Sequence, residues 1–496
     1  MKPPIQRLSR CLLVVSAIFA SASHSFAQSS TTYNPLQNSI ATPRPFDAAG
    51  SSSNPGALTV PAANPYLGSV PEGPLVPGVI TLSMHDAVVR ALHANLGLLD
   101  TEQDHAQSRA ARMRALSVLL PQLSAEAAEV FRNFPVNTIG GQKLGLPNLI
   151  PNFNYQTASL NYRQTLVDVS ALHEIQATHQ EEQMSAAALA DSRNIVVLAA
   201  ASTYLQVAAS QSRVRAAQSE LDSSRALESL LQDRVKREVT PEIEAIRATV
   251  SRQTAEQRLA LSVVRLEKDK LALTRIIGFR LEQEFTLTDL GGFESEPQQS
   301  LEELLASANI GREDLRAATA RVEYARQLLK AQTSERLPTF DVRANGGETG
   351  VNFGHVYGTY EVEGRVSVPI FTGRRIEANV ISAEATLKRR QAELADLQER
   401  SKYDVRSSVL DLKAADKSVD IAAANLKLAQ EGLRESKDRY EAGVSNSLEL
   451  IQAQQAVSSA EDNNIASVYA HNLAKLMLIR STGTAEHDYM TYMGVR

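Results

Sequence analysis

Residues 405–440 read VRSSVLDLKAADKSVDIAAANLKLAQEGLRESKDRY. Val405, Leu412, Val419, Leu426, Leu433 and Tyr440 recur every seven residues, and Ala415, Ala422, Ala429 and Ser436 each follow one of them by three. A seven-residue apolar repeat draws one seam along a helix, and small residues at alternate seam positions let a neighbouring helix approach closely. No proline follows Pro369, so nothing of that kind interrupts a helix from Arg374 to about Val444. At 1.5 Å per residue this rod is about 105 Å long. Such a length suits bridging a wide gap rather than filling a compact core.

Working outward, the same unit occurs earlier in the chain. Leu120-Pro121-Gln122-Leu123 returns as Leu337-Pro338-Thr339-Phe340, and Leu166-Val167-Asp168 as Ile370-Phe371-Thr372. Val239-Thr240-Pro241-Glu242-Ile243-Glu244 returns as Val444-Ser445-Asn446-Ser447-Leu448-Glu449. Moved back by 205 positions, the seam falls on Val207, Val214, Leu221, Glu228 and Val235, with Ser210, Ala217, Ser224 and Leu231 at the alternate positions. The spacing predicts a first rod over 170–239 in register with a second over 374–444. Shorter return helices are expected over about 242–277 and 447–479, ended by Gly278 and Gly483. Further helices are expected over 83–119 and 313–336.

Between the helices lie alternating segments. Tyr360, Val362, Gly364, Val366 and Val368 point one way, and Glu361, Glu363, Arg365 and Ser367 the other. Ala158, Leu160, Tyr162 and Leu166 alternate likewise with Thr157, Ser159, Asn161, Arg163 and Thr165. Strands are predicted over about 122–131, 153–166, 339–345 and 359–368, and Gly346-Gly347 reads as a flexible loop tip. Ribbons of about ten residues, apolar on one face and polar on the other, fit a transmembrane barrel wall. A soluble sandwich with one wet face fits the same pattern. Four strands cannot close in lipid without unpaired edges, so a membrane reading requires several chains sharing one barrel.

The ends of the chain read differently. Lys2, Arg7 and Arg10 precede an apolar run from Cys11 to Ala22, and Ser25-Phe26-Ala27 follows. This is the pattern of a signal peptide over 1–27, too short to span comfortably as an anchor. Cys11 is the chain's one cysteine and is not at the end of the apolar run, so a lipid anchor is not expected. Removing the leader takes the net charge from −5 to −8, which argues against a nucleic-acid partner. Nine of the 19 prolines fall between residues 28 and 80, predicting an extended, mobile arm. Neither a phosphate-binding loop nor a nucleophile elbow is present, and no cofactor is expected. His173 and His179 are six residues apart, a spacing that separates them on a helix and argues against a metal pair.

In order and duplication these pieces resemble the TolC-like outer-membrane efflux protein family over roughly residues 80 to 484. The resemblance rests on the two Leu-Pro turns, on Val368-Pro369-Ile370-Phe371-Thr372-Gly373-Arg374, and on Tyr440-Glu441-Ala442-Gly443-Val444 with Leu448-Glu449-Leu450-Ile451-Gln452-Ala453-Gln454. It implies a mainly α chain with a β-barrel portion. Duplicated long coiled-coil hairpins would form a trimeric α-barrel, with four strands per chain in a shared twelve-stranded outer-membrane barrel. It divides the chain into a first repeat over 81–278, an equatorial linker over 279–312, a second repeat over 313–484 and a tail over 485–496.

By the same resemblance, the rod-to-return turns are periplasmic tips that dock an adaptor. They comprise Glu238, Val239, Thr240 and Pro241 in the first repeat, and Gly443 and Val444 in the second. Glu238 stands where the family turn carries glycine, so a different turn is expected there, with Pro241 resetting it. The pore constriction would involve Glu449, Gln452, Glu244, Tyr440 and Ser445, with Tyr440 meeting the acid Glu244. The implied partners are two further copies, a periplasmic membrane-fusion adaptor, an inner-membrane transporter of RND or ABC type, and outer-membrane lipid. The expectation is a passive efflux duct of the outer membrane that extends into the periplasm, not an enzyme. A type I protein-secretion duct of the same fold is the nearest alternative. A periplasmic coiled-coil scaffold or adaptor is the alternative from another class.

Overall fold

A computed structural model describes residues 64–71, 73–135, 149–288, 299–352 and 355–494. The signal segment 1–27 and the arm from 28 to 63 lie outside the described residues. Among those described, the elements in order are β1 (Ile80–Leu82), α1 (Met84–Ala94), α2 (Leu96–Ser117), β2 (Gln122–Pro135), β3 (Leu149–Val167), α3 (Val169–Lys236) and α4 (Glu242–Ile277). They continue with β4 (Phe285–Leu287), α5 (Leu301–Gly311), α6 (Glu313–Ser334), β5 (Thr339–Asn352), β6 (His355–Ser367), α7 (Arg375–Glu441), α8 (Ser447–Thr482) and α9 (Ala485–Met493).

The duplication is visible in the helices. α3 has 68 residues and α7 has 67; α4 and α8 have 36 each. Each rod is therefore about 100 Å long. Both return helices end in a left-handed glycine, Gly278 at φ +74° and Gly483 at φ +81°, a conformation that costs glycine little. The seam is where the heptads put it. Val405, Leu412, Val419, Ala422, Ser436 and Tyr440 are buried on α7, as are Val207, Ser210, Ala217, Leu221, Ser224 and Leu231 on α3. Glu228 occupies a seam position by pairing with Arg252 of α4, Oε2 to Nε at 2.8 Å.

Three four-element arrays stack along the rods. Nearest the strands, α2, α3, α6 and α7 lie side by side; toward the far end the order is α4, α3, α8, α7. The strands form one antiparallel sheet in the order β2-β3-β5-β6. Its register aligns the two chemistries. Leu123, Tyr162, Ala344 and Val362 pair across all four strands, and so do Gln122, Arg163, Arg343 and Glu363. Directly paired residues share a face, so these rows set an apolar side against a polar one; further along, Glu129 and Glu348 interrupt the apolar side and Val130 and Tyr155 the polar side. The outer edges of β2 and β6 have no strand partner within the sheet.

Several expectations are corrected here. β5 continues through Gly346-Gly347 instead of turning there: Gly346 pairs with Leu160 and Tyr360, and Gly347 with Ser159 and Thr359. A Cβ on Gly347 would run into the β3 backbone at Ala158 and Ser159, so glycine permits close approach here rather than a bend. The helix expected over 83–119 is two helices. Asn95, fully buried, separates them: its Oδ1 accepts the Gly97 N–H at 3.0 Å while its Nδ2 donates to Tyr66 O at 2.8 Å. From Asn64 the proline-rich arm is pinned rather than free. The Tyr66 hydroxyl bonds Ser192 Oγ at 3.0 Å, Gln283 Nε2 donates to the Val76 and Gly78 carbonyls, and β1 pairs in parallel with β4.

The core surrounds the middle of α3. Val196, Val197, Tyr204, Leu205 and Val207 contact Leu82, Met84 and Val88 before them in sequence, and Leu273, Ile277, Leu476, Ile479 and Tyr489 after them. The Tyr204 hydroxyl donates to Leu82 O at 3.1 Å, so its one polar atom is satisfied inside the core. One stretch of α3 is apolar enough to cross a membrane, but it is mostly buried in this core.

Candidate functional site at the helical tips

The two rod ends make the same turn. At the first, Arg237 N–H donates to Asp233 O, Glu238 N–H to Val235 O and Val239 N–H to Arg234 O. At the second, Ala442 N–H donates to Asp438 O, Gly443 N–H to Tyr440 O and Val444 N–H to Arg439 O. This is a left-handed helix-stop motif repeated 205 residues apart. The expectation of a different first turn is therefore corrected. Glu238 adopts φ +55° where Gly443 adopts φ +76°. The left-handed conformation costs a non-glycine residue about 1–2 kcal/mol, and closure of the hairpin offsets it. Pro241 contributes no reset; it starts α4, with φ −62° at the N-cap position. Val239 and Val444 are largely exposed at the two tips, while Thr240 lies in the first turn between Val239 and Pro241.

The constriction candidates separate into two groups. Tyr440 is buried with Leu227, Leu231, Ala248, Leu450 and Ile451. The guanidinium of Arg234 lies 4.8 Å from its ring centre, a cation–π arrangement. Tyr440 thus meets a cation of the first rod, not Glu244 as expected. Glu244 is engaged elsewhere: its Oε2 accepts the Ser447 N–H at 3.1 Å and its Oε1 lies 3.4 Å from Arg247 Nη1. Ser447 opens α8, so a carboxylate of the first hairpin caps a helix of the second, where the helix dipole favours negative charge.

Glu449 sits in the first turn of α8. Asn446 Oδ1 accepts its N–H at 3.1 Å, and its Oε1 is 3.2 Å from Arg439 Nε. Gln452 is exposed one turn further on. The Ser445 Oγ is buried without a hydrogen-bond partner. Higher up, Glu220 of α3 holds both Arg258 of α4, at 2.7 Å, and Ser458 of α8, at 2.9 Å. The tips are therefore joined within one chain by an apolar cluster and by carboxylates that reach from the first hairpin to the second. Sequence reasoning passed over Arg234 and Arg439, because nothing local marks which rod arginines face a neighbouring helix. Asn446 also went unremarked, although an Asn three places before an acid is a local helix-cap signal.

Neither histidine of the first rod pairs with the other. His173 Nδ1 is 3.2 Å from Gln327 Oε1, and His179 Nε2 is 3.1 Å from Gln183 Nε2.

Known proteins share this architecture. Residues 304–484 match the family model described as outer membrane efflux protein. The toluene efflux pump outer membrane protein TtgF of Pseudomonas putida is 23% identical over 401 residues, covering 77% of this chain and 81% of that protein. The CmeC outer membrane channel of Campylobacter jejuni superposes with a TM-score of 0.72 at 16% identity, over 87% of this chain and 94% of that one. The outer membrane protein VceC of Vibrio cholerae gives 0.70 at 18% identity, over 81% and 96%. Residues 304–484 thus carry the match to the outer membrane efflux protein family, on a chain with the fold of the TolC-like outer-membrane channels.

Proposed function

We propose that this chain is one of three subunits of an efflux duct that crosses the outer membrane and extends into the periplasm. The observation that carries the reading is an open four-stranded sheet with aligned apolar and polar faces, joined directly to rods of about 100 Å. In lipid both free edges must be paired. Because the four strands alternate in direction, β6 of one copy meets β2 of the next antiparallel, and the ring closes with an even number of strands. Eight strands enclose only side chains, whereas twelve leave room for a lumen. The helices supply matching edges. Tyr403, Leu410, Ile421 and Leu428 line an exposed apolar stripe on α7, opposite its buried seam, and Ile243, Ile246, Val250, Leu261 and Val264 line one on α4. Two different stripes at opposite ends of one array suit head-to-tail contacts that close a ring.

In this reading the tips around Glu238 to Pro241 and Gly443-Val444 meet a periplasmic membrane-fusion adaptor, which links the duct to an inner-membrane transporter of RND or ABC type. The duct is passive, and the transporter supplies the energy. Glu449, with Gln452 beside it, lies at the constriction, and three copies of the carboxylate around one axis favour cations. Efflux of small molecules is preferred over protein secretion because the relative named above is a toluene efflux component. A soluble scaffold is disfavoured by the exposed apolar sheet face, where Tyr360, Val362 and Val366 are each more than half exposed.

The test uses single cysteines on the two edge strands, Ser124→Cys on β2 and Glu361→Cys on β6, combined in one chain and oxidised in membranes. Covalent trimers extracted by detergent are expected. Recovery as a water-soluble monomer ends the duct reading. In planar bilayers Glu449→Ala is expected to weaken cation preference, and an unchanged preference removes Glu449 from the constriction.

A further inference from the structure

At the equator six elements of the chain, α3 and α5 to α9, meet at one joint. α5 ends at Gly311 and α8 at Gly483, and their backbones cross with no space for a Cβ on either glycine: one on Gly311 would strike Thr482 O, and one on Gly483 would strike the Gly311 carbonyl. Charged groups surround the crossing. Arg312, at the α5–α6 corner, is 6% exposed. It holds Asp314 with Nε and Nη2 at 3.0 and 2.7 Å, and it reaches Asp404 of α7 with Nη1 at 3.0 Å. Arg480 of α8 brings Nη2 to 2.9 Å from Oδ1 of Asp191 on α3, a single ion-pair contact where Asp314 has two. Beside these, Arg193 of α3 grips Glu486 of α9 with two of its nitrogens, and Asn194 bonds the Gly483 carbonyl and the Glu486 N–H.

The charges do not balance. Arg193 and Glu486 cancel each other. The remainder is three carboxylates, Asp191, Asp314 and Asp404, against two guanidinium groups, Arg312 and Arg480. A surplus charge in a poorly hydrated site is costly, and the cheapest relief is a proton on the carboxylate held least well. Asp314 is held best, by two bonds from Arg312 and by the Leu315 N–H at 2.9 Å. Asp404 is a third exposed and keeps contact with water. Asp191 has one direct arginine contact, from Arg480, and lies in the opposed fields of the Asp314 carboxylate and the Arg312 guanidinium, which is itself held by Asp314 and Asp404.

We propose that Asp191 is a proton-binding site of the equatorial joint, and that its proton sets how firmly α8 and the α5–α6 corner are held against α3. With the proton in place, two carboxylates face two arginines and the joint is neutral. Without it, a surplus carboxylate strains the joint. Burial pushes the Asp191 carboxyl above the ordinary range, against the pull of Arg480. A group whose folded value is raised adds stability that is lost as pH rises through that value, so mild acid tightens the joint and alkali loosens it. The inference does not rest on the duct reading, because the joint lies within one chain.

The experiment follows melting of the full-length, detergent-solubilised protein as pH is raised upward from the ordinary aspartate range, together with infrared difference spectra of the carboxyl C=O stretch. Wild type is expected to lose a few degrees of melting temperature as pH rises, and to show a protonated-carboxyl band that bleaches over the same range. Asp191→Asn is expected to flatten that pH slope, abolish the band and melt higher than wild type at the alkaline end. Asp404→Asn, which removes one of the three acids, is expected to move the transition to lower pH and serves if Asp191→Asn does not fold. The proposal is overturned if Asp191→Asn keeps the wild-type slope and band. It is also overturned if Asp404→Asn leaves the midpoint unmoved.

Discussion

The two hairpins have nearly equal lengths and the same end turns, yet they are buried very differently. α3 is covered almost continuously from Val196 to Ser210, because α1, α4, α8 and the equatorial elements close around it. Along α7 the buried positions are mainly the narrow line of Val405, Leu412, Val419 and Tyr440, and the opposite side carries exposed Tyr403, Leu410 and Leu428. One copy of the repeat became the central pillar of the chain, and the other became an edge. Duplicated sequence therefore does not imply duplicated environment: the first rod is completed by its own chain, while the second retains an uncovered apolar stripe.

Two substitutions probe that contrast. The largest effect is expected from Tyr204→Ala on α3, which empties a fully buried site and should cost about 3–5 kcal/mol in denaturant unfolding. Tyr403→Ala on α7 should change the stability of the isolated chain by less than about 0.5 kcal/mol. Equal losses would break the comparison.

A comparable but smaller loss, about 3 kcal/mol, is expected for Asp314→Asn, which takes away the bidentate partner of the buried Arg312 that anchors α7 through Asp404. Hydrogen bonds and charge from Arg312 outweigh burial and hold the Asp314 carboxyl below its ordinary value. Its contribution is therefore full above the usual aspartate range and disappears as pH falls through the depressed value. This is the opposite sense to Asp191, whose carboxyl the Asp314 charge helps to raise, so removing Asp314 should reduce sensitivity to strong acid and move the milder transition to lower pH.

Smaller effects than those of the buried sites belong to the tips, where the two copies are most alike. Glu238→Gly should stabilise by about 1 kcal/mol, because glycine adopts the left-handed turn without the steric cost. Gly443→Ala should destabilise by a similar amount. If both substitutions destabilise, the first turn depends on the Glu238 side chain and the two tips are not equivalent.

How far the sequence could be read depended on the range of the interaction. Heptads on α7 and the proline-free rods are local patterns, and the helices follow them to within a few residues. The ends of the strands were less legible. Gly346-Gly347 looks like a turn by composition, but Leu160, Tyr360 and the close backbone of β3 keep it extended. Asn95 gave no sign that it would divide a helix, since its role depends on Tyr66, 29 residues away. At the tips, the positions of Tyr440 and Glu449 could be named in advance, but their partners Arg234 and Arg439 could not.

The sequence by itself determined the length of the rods, their duplication, the seam and the two-faced ribbons, because each of these is a periodicity of apolar residues along one chain. Only the tertiary structure decided which rod would be central, that four strands would form one open sheet, and that three aspartates would gather around two arginines. Those outcomes depend on contacts between residues far apart in the chain. Physically, period sets which face of an element is apolar, whereas the balance of burial and charge at a crossing exists only once the crossing has formed.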